Sequence, residues 1–311
     1  MNRSPRSSRF GVFALTAVAA LTAAGCGALA FHPASPHGAP REATFATVGG
    51  VRLRTRAVGE GSGTPVLFLH GFASSLETWD TVQPLVAKGR RTLAVDLKGF
   101  GYSARPAGDY SPPAQAKMLL ELLDQQGIHE VIVVAHSWGT SIALAMALEA
   151  PQRVKRLALY DAWAYEEQLP PFFLWARTPH VGEFLFRAFY KERPYERIAF
   201  AFYDRERYVT EPLLDLTEAA LERPGTVAAA LEATRGQTYA EWQSRYRSIS
   251  APTLLLWGRE DEVTTLAFGE RLARELPNAR LAIYPRCGHF PMLEAVGASN
   301  RDLLAFLAET P

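Results

Sequence analysis

Short apolar runs alternate along most of this chain with longer amphipathic stretches. Residues 44–48 and 51–57 alternate apolar and polar positions across Gly49-Gly50, which predicts a two-stranded hairpin. Residues 65–69, 91–96, 131–134, 154–161, 253–257 and 280–284 are apolar runs that read as buried strands. Helical stretches fall between them. One is capped by Ser74-Ser75 and contains Trp79 and Leu85, and one opens at Pro113 and stops at Gly127. A third, 142–148, is apolar all round and ends before Pro151. Two more are predicted near 265–275 and 299–308. Strand, helix, strand in series indicates an α/β protein, a mostly parallel doubly wound sheet with helices on both faces.

The rhythm breaks between 163 and 248. That segment has no strand pattern, and its helical runs are rich in aromatics, among them Phe172, Phe173, Trp175, Phe184 and Phe186. It is expected to form a helical unit inserted between two strands of a core made of 42–162 and 249–311.

Arg3, Arg6 and Arg9 precede an apolar stretch of residues 10–24. It is too short to span a bilayer and fits the apolar region of a signal peptide. Leu21-Thr22-Ala23-Ala24-Gly25-Cys26 resembles a bacterial lipobox, so residues 1–25 are expected to be removed and Cys26 lipidated. The chain is then exported and tied to a membrane of the cell envelope. Residues 26–41 read as a tether. Cys287 is the only other cysteine, so the fold must rest on its core.

With 48% hydrophobic and 21% charged residues the composition is that of an ordinary globular protein. Formal net charge is +1, and without the three leader arginines 30 basic residues face 32 acidic ones. That balance gives no electrostatic case for a nucleic-acid partner.

The candidate chemistry centres on Ala135-His136-Ser137-Trp138-Gly139. A serine between a buried strand and a buried helix has only a tight turn to occupy. The backbone there passes close to its neighbours, so the positions two before and two after the serine must be small; they are Ala135 and Gly139. A serine hydroxyl is a weak nucleophile and needs a base, and the base needs an orienting acid. Of seven histidines, His289 follows the strand 280–284 and reaches the sheet edge where the serine sits. Asp261, after the strand 253–257, is the preferred acid, with Asp161 as the alternative. Glu260 and Glu262 read as solvated loop carboxylates. His70 reads as shaping its loop, His136 as pointing away, and His32 and His37 as solvated.

The order Ser137, Asp261, His289 resembles the α/β-hydrolase superfamily. So do Leu69-His70-Gly71-Phe72, the run from Asp96 to Ser103, the serine turn, Trp257-Gly258-Arg259-Glu260-Asp261 and Gly288-His289-Phe290. Lys98 stands where the family often has proline, and Ala135 where it usually has glycine. The resemblance covers roughly 42–311 and implies a helical cap at 163–248. It also implies an oxyanion hole made by the backbone N–H groups of Phe72 and Trp138. The expected activity is cleavage of an apolar acyl substrate, by default a carboxylic ester, without cofactor or metal. Ser137 argues against relatives that open epoxides or displace halide with an aspartate. Prolyl peptide hydrolysis, carbon–carbon bond hydrolysis and perhydrolysis remain open on the same triad, as does a lipid-anchored binding protein on a disabled scaffold.

Overall fold

The structure, a computed structural model, describes residues 29–191 and 194–309. The expected signal segment and Cys26 lie outside the described residues. Strand β1 (Thr44–Val48) pairs antiparallel with the start of β2 (Val51–Leu69). Gly49 and Gly50 both take positive φ between them, as a two-residue hairpin turn demands. β2 is longer than the sequence suggests because it folds back on itself. Its Thr55 to Val58 arm meets β3 (Arg90–Val95) in descending register, and its Val66 to Leu69 arm meets β3 in ascending, parallel register. The bend runs through Gly59, Gly61 and Gly63. Gly59 sits at φ 84°, where a β-carbon would collide with the carbonyls of Arg90 and Ala87.

From β3 onward the sheet is parallel. β2 pairs with β4 (Val131–His136), which pairs with β5 (Val154–Tyr160), then β6 (Thr253–Gly258), then β7 (Ala279–Tyr284). All these strands point their C-terminal ends at one edge, where open parallel sheets carry their sites.

The helix expected around Trp79 and Leu85 is two pieces, a 3₁₀ turn at Leu76–Trp79 and α1 at Gln83–Val86. Pro84 explains the break: inside one continuous helix its ring would strike the carbonyl four residues back. Helix α2 (Pro112–Gln125) is capped by the Ser111 side chain. Helix α3 (Trp138–Glu149) is buried on all sides, between the sheet and the inserted unit. The insertion is helical throughout its described part: α4 (Pro171–Ala176), α5 (Val181–Phe189), α6 (Pro194–Ala199), α7 (Arg205–Tyr208), α8 (Glu211–Glu222) and α9 (Thr226–Arg235). Helices α10 (Leu266–Glu275), α11 (Pro291–Glu294) and α12 (Val296–Ala308) complete the core, the last beginning three residues earlier than expected. Among the described residues no helix is long and apolar enough to cross a membrane.

The segment expected to be a free tether is docked from Leu29. His32 and Arg105 exchange two backbone hydrogen bonds of 2.9 Å, Phe31 stacks on Tyr110, and Leu29 packs on the core. Arg105 is buried and holds this junction through the carbonyls of Ser103 and Gly101 and the Thr226 hydroxyl. The apolar pair Leu29 and Phe31 gives the segment a surface to bind.

Candidate active site

Ser137 sits between β4 and α3 at φ 50°, ψ −125°, a backbone state that L-residues rarely adopt. The surroundings hold it there. Its N–H donates to the Tyr160 carbonyl at 3.0 Å, and its carbonyl accepts from Thr140 N at 2.9 Å. The close approach argued from the sequence is present at Gly139, where a β-carbon would stand 2.5 Å from the His70 carbonyl oxygen and 2.8 Å from that of Leu69. Both obstacles are backbone and cannot swing aside. Gly139→Ala is therefore expected to destabilise the protein by about 2 kcal/mol or more, read as a lower denaturation midpoint. Gly297→Ala in α12, where nothing lies within 4 Å, should be neutral or slightly stabilising. Ala135 is fully buried opposite Leu69, so its methyl is accommodated.

His289 and Asp261 meet as expected: Nδ1 lies 2.8 Å from Oδ2, both side chains buried. Thr264 donates its hydroxyl to the same oxygen at 2.7 Å, while Val263 N and Thr264 N donate to Oδ1. Burial alone would raise the Asp261 carboxyl. The His289 ring and these donors outweigh it and hold the group below the usual carboxylate range.

The loop carrying His289 is fixed from several sides. Glu260, expected to be solvated, accepts Cys287 N–H at 3.0 Å, and its own N–H donates to the Cys287 carbonyl. Glu294, which no sequence pattern singled out, accepts Gly288 N at 2.8 Å and also Tyr203 N and Asp204 N from the cap. His289 N donates to the Ala201 carbonyl at 2.7 Å. Gly258 closes the arrangement: a β-carbon there would overlap the Gly288 carbonyl. Glu262 is the solvated carboxylate expected, exposed and paired with Arg205. Cys287 is a buried thiol, its pKa raised by burial and then by nearby carboxylates.

His136 does not point away from the site. Its Nε2 lies 2.8 Å from the His289 carbonyl and its ring 4.7 Å from the His289 ring, so it seats the base beside the serine turn. Burial, then the His289 charge, keeps it neutral, so Nε2 is the donor. Asp161 is at φ 42° and fully buried, with Oδ1 accepting Gly258 N at 2.9 Å and Oδ2 without a partner. Burial, then the adjacent Asp261 charge, pushes its pKa up while that of Asp261 is held down, so of the two carboxyls Asp261 is the one favoured as the charged partner of His289. His136, Asp161 and His289 bring possible ligand atoms within 4.8 Å of one another. One nitrogen of each histidine is committed, to Asp261 and to the His289 carbonyl, while His136 Nδ1 and Asp161 Oδ2 have no partner among the described residues.

Opposite the base, Phe72 follows His70-Gly71. A β-carbon on Gly71 would stand 3.1 Å from Ser137 Cβ, which places this turn against the serine. Ala73 takes φ 55° to make the turn, and among the described residues no acceptor takes Phe72 N–H. Trp138 N–H opens α3 and has no acceptor within the helix. Neither backbone donor expected at an oxyanion hole is therefore taken by an acceptor among the described residues. His70 shapes the turn: Nδ1–H donates to the Gly71 carbonyl at 2.7 Å, and Nε2 accepts Leu97 N–H at 3.0 Å. Protonating Nε2 would set two donors against each other, and burial lowers the ring to about 4. The unfolded chain takes up this proton near pH 6.5 and the folded chain only near 4. Stability should therefore fall as pH drops through that window, by about 3 kcal/mol for this residue. Chemical denaturation at pH 7 and pH 4.5 should show a smaller loss for His70→Gln than for the parent.

Aromatic rings cluster around Phe72, next to the serine turn. Phe72 packs on Phe100, Trp138 and Phe173 at centroid distances of 5.3, 6.0 and 5.4 Å, and Trp163 stacks on Phe173 at 6.1 Å.

This arrangement has known counterparts. Residues 64–296 match the family model described as alpha/beta hydrolase fold. The chain is 30% identical over 271 residues to the 2-hydroxymuconate semialdehyde hydrolase of Pseudomonas sp. (strain CF600), covering 83% of this chain and 91% of that one. It is 32% identical over 271 residues to the 2-hydroxy-6-oxononadienedioate/2-hydroxy-6-oxononatrienedioate hydrolase of Cupriavidus pinatubonensis, covering 82% and 90%. Among solved structures it is similar to Est816, an N-acyl homoserine lactone degrading enzyme, at 26% identity and a TM-score of 0.71 over 85% of this chain and 100% of that one. With its parallel sheet, its helical insertion and a family match over three quarters of its length, the chain belongs to the α/β-hydrolase family and is a hydrolase of that fold.

Proposed function

We propose that Ser137 is the nucleophile, His289 the base and Asp261 its orienting acid, and that the bond broken joins a carbonyl carbon to carbon. The observation that carries this is the buried Asp261–His289 pair beside the strained serine turn. It stands on a chain similar over four fifths of its length to hydrolases of 2-hydroxymuconate semialdehyde and related oxo-dienoates. A semialdehyde of that kind has no ester or amide, so its hydrolysis must cleave carbon from carbon. Ser137 Oγ adds to the ketone or aldehyde carbonyl as His289 takes the hydroxyl proton, and the N–H groups of Phe72 and Trp138 stabilise the oxyanion. Such a donor contributes on the order of 3 kcal/mol. The hydroxydiene must first ketonise, losing its enol proton and gaining one at the carbon next to the attacked carbonyl; the electron pair of the carbon–carbon bond then leaves as the dienolate of that 2-oxo-enoate, which takes up a proton, and water releases the acyl group as a carboxylic acid.

The test is turnover of 2-hydroxy-6-oxohepta-2,4-dienoate, followed by loss of its conjugated absorbance, beside p-nitrophenyl esters from acetate to decanoate. Faster turnover of the dienoate, lost in Ser137→Ala, is the expected result. Ester turnover with none of the dienoate would overturn the carbon–carbon reading.

One observation favours that second outcome. Arginines around the cap are engaged by acids: Arg177 by Glu166, Arg235 by Glu183 and Glu232, Arg271 by Glu167 and Glu275. A substrate carboxylate could draw on none of these three without breaking a pair, whereas a neutral ester or lactone asks for no cation. We also propose that the mature chain is held at a membrane of the cell envelope by lipid on Cys26. Intact mass of the N-terminal peptide checks this.

A further inference from the structure

Helix α5 has two unlike faces. Phe186 and Tyr190 are buried and stack on each other at 4.9 Å, and Gly182 packs against α4 and α9. The opposite face is apolar and open: Phe184 is 45% and Phe189 48% exposed, with Val181 beside them and Leu174 and Trp175 at the end of α4. Trp175 is 60% exposed. Scattered apolar residues on a surface need no account, but five on adjoining helix ends form a patch that does. Exposed Lys191 flanks it.

The docked N-terminal segment bears on what covers this patch. His32 is locked to Arg105 and lies against Gly225 at the start of α9, and α9 packs along α5, with Gly182 of α5 against Leu231 and Arg235. The chain therefore joins the body next to α5. Cys26 precedes Leu29 by three residues, a reach of at most about 10 Å. A lipid on Cys26 would thus hold the α5 side of the cap against the bilayer rather than let the protein hang free.

We propose that the exposed face of α4 and α5 is a membrane-docking surface, its aromatics set into the headgroup boundary of an anionic bilayer and Lys191 placed toward lipid phosphates. Aromatic and aliphatic residues on one face and a basic residue at its edge are the chemistry that recognises such an interface, and one lipid signal anchors more firmly when a surface patch adds to it. The inference rests on the lipid anchor proposed above.

The sequence supplies its own reporter. Of the six tryptophans, Trp175 is exposed and the other five are buried, none above 8%. The full chain, made in a bacterial host, is reconstituted into phosphatidylcholine–phosphatidylglycerol vesicles with brominated or plain acyl chains. Trp175 emission is taken as the difference between the parent and Trp175→Phe. Docking predicts that bromine removes most of that emission and that plain vesicles shift it to the blue. Unquenched Trp175 with lipid present on Cys26 overturns docking and leaves the anchor standing. Quenching with Cys26 unmodified overturns the anchor and keeps the docking face. An unmodified Cys26 with unquenched Trp175 overturns both.

Discussion

Ser137→Ala is expected to lower kcat by at least about 10⁴-fold on whichever acyl substrate the protein turns over. The fold should survive. Ser137 is held by its backbone, through Tyr160 and Thr140, and the serine hydroxyl supports no contact on which the turn depends. Alanine keeps the strained φ and the buried volume, so the denaturation midpoint should move little while turnover collapses. The two readouts together separate a lost nucleophile from a lost fold. Residual activity above solvent would come from Phe72 and Trp138 N–H and from binding, neither of which the substitution removes.

The second large effect is expected at Asp261. In Asp261→Asn the amide oxygen is drawn to the Oδ1 position, where Val263 N and Thr264 N both donate. The NH₂ then faces His289 Nδ1, which can only accept. The ring is left with its proton on Nε2, the tautomer that cannot take one from Ser137. A fall in kcat of about 10³- to 10⁴-fold is the expected size for a triad acid blocked in this way. Asp161→Asn is the contrast. The Asp161 carboxyl is pushed up by burial and its Oδ1 accepts Gly258 N–H, and an amide can do the same. Its kcat should stay within about tenfold, the scale of lost packing or one hydrogen bond rather than of a lost charge. Steady-state kinetics on the two purified variants would tell the two carboxyls apart. Equal losses would mean that the charge is shared between them.

The parts of the site legible in the sequence are those that local pattern controls. An apolar run ending in serine with small residues around it can do little but form the turn seen at Ser137. Asp261 and His289 follow β6 and β7, and parallel strands bring both loops to the serine's edge. Acid and base could be ranked because one edge admits few candidates. What stayed hidden depends on contacts between distant segments. Glu260 and Glu294 were not legible as loop clamps because their partners are backbone N–H groups, which every residue offers. His136 adjoins the serine in sequence, but its role is set by the carbonyl of His289, 153 residues away. The split of the expected helix near Trp79 was readable from Pro84 and was outweighed by apolar spacing. The fold-back of β2 kept two predicted strands as one element, because a glycine-rich bend can continue the pairing. The docking of residues 29–32 turned on two apolar residues, Leu29 and Phe31.

Covalent capture of the nucleophile tests the central claim most directly. The purified protein is treated with a fluorophosphonate, its intact mass is measured, and the modified residue is located by peptide fragmentation. The account predicts one adduct per chain, on Ser137, with labelling slowed strongly in His289→Ala. A folded protein that stays unlabelled, or one labelled at another residue while Ser137 remains free, would contradict it.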